Sequence, residues 1–64
     1  MPVITIEIVP QDYEKKEEIS KVFTEELSRI TGIPQEPVTV IFHDVSPQNV
    51  SFGGKMLDQQ FTEE

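Results

Sequence analysis

The sequence predicts an α/β fold: a single βαβ unit followed by a short C-terminal hairpin, with the sheet completed by oligomerisation. Three observations lead there. Residues 3–9 alternate in polarity, residues 19–30 repeat apolar side chains at helical spacing, and residues 38–43 alternate again. A chain of 64 residues has room for one domain, taken here as residues 1–64.

Taken in order, Val3-Ile4-Thr5-Ile6-Glu7-Ile8-Val9 places Ile4, Ile6 and Ile8 on one face and Val3, Thr5, Glu7 and Val9 on the other. The segment is rich in β-branched residues, and Pro10 stops it. Asp12 is a helix cap, with Glu14 in the first turn. Ile19, Val22, Phe23, Leu27 and Ile30 then form an apolar stripe. Glu17–Lys21 and Glu25–Arg29 are i,i+4 pairs in the favourable orientation. Gly32 and Pro34 end the helix.

In the second strand, Val38, Val40 and Phe42 share one face and Thr39, Ile41 and His43 the other. Ser46-Pro47-Gln48-Asn49 breaks it, and Phe52-Gly53-Gly54-Lys55 reads as a tight turn or short hairpin. Gln59 to Glu64 are polar apart from Phe61, so a tail from about residue 58 is expected to be loosely held.

Strand, helix and strand in this order form parallel strands joined by a right-handed crossover. Two strands and one helix cannot enclose a core. The helix covers one sheet face and leaves Val3, Val9 and Ile41 on the other, so further copies of the chain are expected to cover that face and the sheet edges. Other remedies for so small a domain are missing. There is no cysteine, and His43 is the one histidine, which excludes disulfides and makes a zinc site unexpected.

Twelve acidic residues against five basic ones, a net charge of −7, speak against a nucleic-acid partner. Neither a signal peptide nor a membrane span is recognisable, and the cytoplasm is the expected compartment.

Pro2 is the sharpest chemical feature. Initiator methionine is normally removed before a small residue, which would leave a secondary amine at the start of a strand. An α-amino group titrates near ~8 when unperturbed, and desolvation or nearby cations lower that value. A neutral amine can accept a proton from carbon or oxygen and return it elsewhere. The bland alternative is a proline tolerated at a strand start.

Met1-Pro2-Val3-Ile4-Thr5-Ile6, the helix, the strand through His43-Asp44 and the late run Asn49-Val50-Ser51-Phe52-Gly53-Gly54-Lys55 together resemble the 4-oxalocrotonate tautomerase family, and its DmpI-like branch in particular. The resemblance spans residues 2 to 57. It implies βαβ subunits that pair into dimers and commonly assemble as hexamers. It also implies Pro2 as the general base of a cofactor-free enol–keto tautomerisation of small 2-oxo acids and related dienols, and no metal. The family places one arginine just before the helix and another in the second strand, where this chain has Gln11 or Asp12 and Thr39. Its substrate-facing aromatic corresponds to Val50.

Four residues are candidates to replace those groups. Lys16, or its neighbour Lys15, offers a point charge for a carboxylate, or is a solvated lysine. His43 offers a hydrogen bond or a switchable charge, or is an interface histidine. Asn49 donates to a carbonyl, or shapes the turn. Phe52 lines an apolar pocket, or fills an interface. Lys55 beside the hairpin could be steered toward a neighbouring subunit's site. The readings that stay open are a tautomerase, a non-catalytic oligomeric binding or structural protein of the same fold, and hydration or decarboxylation chemistry that keeps the proline.

Overall fold

The computed structural model describes residues 1–58, so the expectation for Gln59–Glu64 lies outside the described residues. The element order is β1 (Val3–Ile8), α1 (Tyr13–Thr31), β2 (Thr39–Asp44), a 3-10 turn (Pro47–Asn49), β3 (Ser51–Phe52) and β4 (Lys55–Met56). β1 and β2 are parallel, in register from Val3 opposite Thr39 to Ile8 opposite Asp44. Backbone bonds extend the ladder at both ends, from Thr39 N–H to the Pro2 carbonyl (3.0 Å) and from Val45 N–H to the Ile8 carbonyl (2.8 Å).

The helix begins where capping chemistry dictates. Asp12 is extended, and its Oδ1 accepts the Lys15 N–H at 2.8 Å. The other end closes on Gly32, at φ 80°, whose N–H donates to the Ser28 carbonyl at 2.8 Å. Ser28 Oγ donates to the Ile33 carbonyl at 2.6 Å, and Thr31 Oγ1 donates to the Leu27 carbonyl while accepting the Ile33 N–H. Freed carbonyls and amides thus find partners before Pro34 turns the chain.

Gly53 (φ 57°) and Gly54 (φ 86°) both occupy the left-handed region, as the two central residues of a type I′ turn between β3 and β4. Leu57 N–H donates to the Val50 carbonyl at 2.8 Å and closes this ribbon. The hairpin forms a sheet of its own, separate from β1 and β2.

The expected pairing of faces is present. Ile4 stands opposite Val40 and Ile6 opposite Phe42, and all four are half-buried. The reverse face carries Val3, Thr5, Glu7, Ile41 and His43, all exposed. Val9 lies beyond the strand and is half-buried, with its carbonyl taken by the Gln11 side-chain amide.

The helix departs from expectation in its rotation. The half-buried helical positions are Lys16, Ile19, Ser20, Thr24, Leu27 and Ser28, whereas Val22, Phe23 and Ile30 of the apolar stripe are exposed. Three of the five stripe residues therefore look past the sheet, because two strands are too narrow to meet its full width. Neither expected i,i+4 ion pair is made among the described residues. Arg29 forks onto Glu26 Oε1 through Nε (3.0 Å) and Nη2 (2.7 Å), three residues away rather than four. The i−3 carboxylate lies directly below the planar guanidinium and accepts two bonds at once.

No described residue is fully buried. The radius of gyration is 15.2 Å, with extents of 43 × 24 × 15 Å, against about 11 Å for a compact chain of this length. A protomer built this way has elements but no interior.

Candidate functional site

Pro2 stands at the mouth of the parallel pair. Its carbonyl is bound by the Thr39 N–H and the next residue opens β1, so its backbone is held by the sheet although Met1 is 88% exposed. Thr39, which occupies the place of one family arginine, is the nearest β2 residue, and its Oγ1 leans back to the Pro37 carbonyl at 3.4 Å. The segments framing this end, residues 1–3 and 33–39, contain no lysine, arginine or histidine. Glu36 is their one charged side chain.

The other candidates are elsewhere. Lys16 Nζ lies 3.2 Å from Asp44 Oδ1, at the far end of β2, and 5.9 Å from the centroid of the Phe42 ring. Its ammonium is thus paired with a carboxylate of its own chain. Lys16, Tyr13, Glu17, Ser20, Val40 and Phe42 line an open groove of ≈ 330 Å³ between the first half of α1 and β2. Small Ser20 opposite Val40 and Phe42 leaves the gap, and Pro2 does not line it.

His43 sits on the uncovered face with Nδ1 3.7 Å from Glu7 Oε2, directly across the ladder. That is too long for a hydrogen bond but within ion-pair reach of a protonated ring. Asn49 is the last residue of the 3-10 turn and is exposed, with its backbone N–H bound to the Ser46 carbonyl at 2.8 Å. Phe52 is 62% exposed on β3, opposite Lys55. Val50, in the place of the family aromatic, is half-buried and ties the hairpin base.

Within one protomer the structure therefore does not bring Pro2 together with Lys16 or His43. Lys16 is tied to the last residue of β2 and His43 precedes it, six strand residues along the pair, roughly 20 Å from Pro2. Sequence reading missed the Glu7–His43 pair and the role of Asp44. Both were open to inference only once the parallel register was known, because Glu7 and His43 each read as ordinary outward residues in isolation.

A small βαβ protomer without an interior, with a proline pinned at the strand start and a Gly-Gly hairpin, defines a subunit of the tautomerase kind. The family model described as tautomerase enzyme matches residues 2–60, and the chain belongs to that family. Among solved structures, a 4-oxalocrotonate tautomerase homologue is similar at 32% identity, over 91% of this chain and 94% of its own, with a TM-score of 0.82. DmpI from Archaeoglobus fulgidus is 28% identical over 89% and 98%, with a TM-score of 0.81. A 4-oxalocrotonate tautomerase isozyme from Methylibium petroleiphilum is 29% identical over 89% and 94%, with a TM-score of 0.80. No curated protein sequence matches. Membership supports tautomerase activity, an isomerase chemistry, in general. No described helix is long and apolar enough to cross a membrane.

Proposed function

We propose that the protein is a cofactor-independent tautomerase in which Pro2, freed as a secondary amine by removal of Met1, is the general base. The substrate is a small, anionic, enolisable 2-oxo acid or related dienol. The observation that carries this reading is the anchoring of Pro2. A base must be held within hydrogen-bond reach of the proton it moves, and the 3.0 Å bond from Thr39 fixes the residue that bears the amine. Exposure of Met1 leaves its peptide bond accessible to an aminopeptidase.

In the reaction, the neutral amine accepts the enol hydroxyl proton, the charge moves onto the carbon–oxygen framework, and the resulting ammonium returns a proton to carbon. No atom is gained or lost. Activity requires the unprotonated amine, so kcat/KM rises with pH through its titration. A methionine left in place acylates the nitrogen and removes the base.

The same reading includes self-association, as a homohexamer or another dimer-based oligomer. It is supported by the lack of any fully buried described residue, by exposed Val3, Ile41 and Phe52, and by a similar fold in a heterohexameric 4-oxalocrotonate tautomerase from Chloroflexus aurantiacus (20% identity over 92% and 97%, TM-score 0.84). Because Pro2 lies at the opposite end of the strand pair from Lys16 and His43, the substrate pocket is formed between copies.

A non-catalytic binding or structural role is favoured by one observation, the absence of a basic residue in the segments around Pro2. Intact mass and one assay separate the two. Processed protein is expected to ketonise an aryl-pyruvate enol faster than a Pro2→Ala variant by about 10²–10⁴-fold; equal rates would sink the enzymatic reading.

A further inference from the structure

The reverse face of the strand pair is apolar at Val3 and Ile41, which are 48% and 41% exposed in a protomer with no fully buried described residue. The same face carries Glu7 and His43, directly opposite each other in the parallel register, with Nδ1 3.7 Å from Oε2. These two are its titratable groups within β1 and β2. The neighbouring Asp44 points the other way, toward the helix, where Lys16 holds it at 3.2 Å. Neither strand contains a lysine or arginine, so the one cation that either strand can offer Glu7 is protonated His43.

In water this arrangement does little, because both side chains are more than half exposed. Covering the face changes that. An ionised carboxylate that leaves water needs a charge or donors to replace the water. Neutral His43 leaves Glu7 as an uncompensated charge, whereas protonated His43 makes the pair neutral overall. Imidazole is the side chain whose charge changes between about pH 5 and 8, where a carboxylate stays ionised.

The occupant that fits is a second copy presenting the same face. The exposed side of α1 carries Glu14, Glu17, Glu18, Glu25 and Glu26, and would set more negative charge against Glu7. The reverse sheet face instead meets its own kind through Val3 and Ile41, and brings no strand charges beyond a second Glu7 and His43. Two copies packed in this way place two carboxylates in one contact, and each then needs a proton on the imidazole beside it.

We infer that the Glu7–His43 pair makes self-association pH-sensitive: copies pack through this face while His43 is protonated and part as it loses its proton. This rests on the reading that the chain self-associates. Packed copies hold protons that separated copies release as the pH approaches about 8, so association is strongest near about pH 6 and weakens as pH rises. With one proton per copy, the dissociation constant of a two-copy contact rises by at most about two decades per pH unit.

The test is sedimentation velocity of the full chain over a dilution series, at about pH 6 and 8 and constant ionic strength, with urea added until the series spans dissociation. The unaltered protein should associate about tenfold or more tightly at the lower pH. His43→Gln should associate at the lower pH no better than the unaltered protein does at the higher. Glu7→Gln should lose the preference or reverse it, because a proton on His43 is then itself the unpaired charge. The N-terminal amine also titrates near ~8, but both variants keep it, so a response arising there would survive in both. An assembled protein with no preference for the lower pH overturns the switch, as does a preference that persists in Glu7→Gln or in His43→Gln. Single protomers at both pH values overturn self-association itself, and the switch with it.

Discussion

The two ends of the parallel strand pair are built on different principles. At the Asp44 end, polar side chains find neighbours within the protomer: Lys16 pairs with Asp44, and Glu7 faces His43 one register step earlier. At the Pro2 end the contacts are backbone bonds, and the framing segments 1–3 and 33–39 carry no lysine, arginine or histidine. Paired charges in part-exposed positions do little beyond fixing local geometry. The contrast shows that the ion pairs of this chain belong to its frame, while the proposed base stands at an end held by backbone bonds.

The comparison can be broken at either end. The largest expected effect is that of Pro2→Ala, the 10²–10⁴-fold loss given above, with thermal stability nearly unchanged; a stability loss of similar size would make Pro2 a structural residue. Ile41→Asp comes next. It sets a charge on the open face opposite Thr5, and a charge buried without a partner costs about 3–5 kcal/mol. Sedimentation or scattering should then show dissociation of the assembly, and an intact assembly would mean that this face stays in water.

Gly54→Ala should cost about 1–2 kcal/mol locally, because only glycine occupies φ 86° without strain. Nothing lies within 4 Å of an added Cβ, so crowding adds nothing. Hydrogen exchange should show the β3–β4 amides losing protection while those of β1 and β2 keep theirs. The smallest effect belongs to the charged end. Asp44→Asn should change stability by less than about 1 kcal/mol in a denaturant titration, with kcat unaltered. A catalytic defect there would move Lys16 back among the site residues.

Much of the frame was legible residue by residue. Alternation at 3–9 and 38–43, Asp12 before the helix and Gly32 after it are local signals, and each element stands within a residue or two of its expected place. The helix stripe was legible as apolar but not as divided, since Val22, Phe23 and Ile30 turn past a sheet only two strands wide. Of the candidate site, Pro2 was visible from its position alone. Lys16 could not be judged in the same way: its partner Asp44 is 28 residues distant and arrives only through the crossover.

By itself the sequence determined the element order, the caps and the hairpin turn. Those depend on side-chain type at short range. Only the tertiary structure decided which charged side chains meet and which part of the helix stripe looks past the sheet. Those depend on strand register and helix rotation, which bring together residues that no local pattern relates.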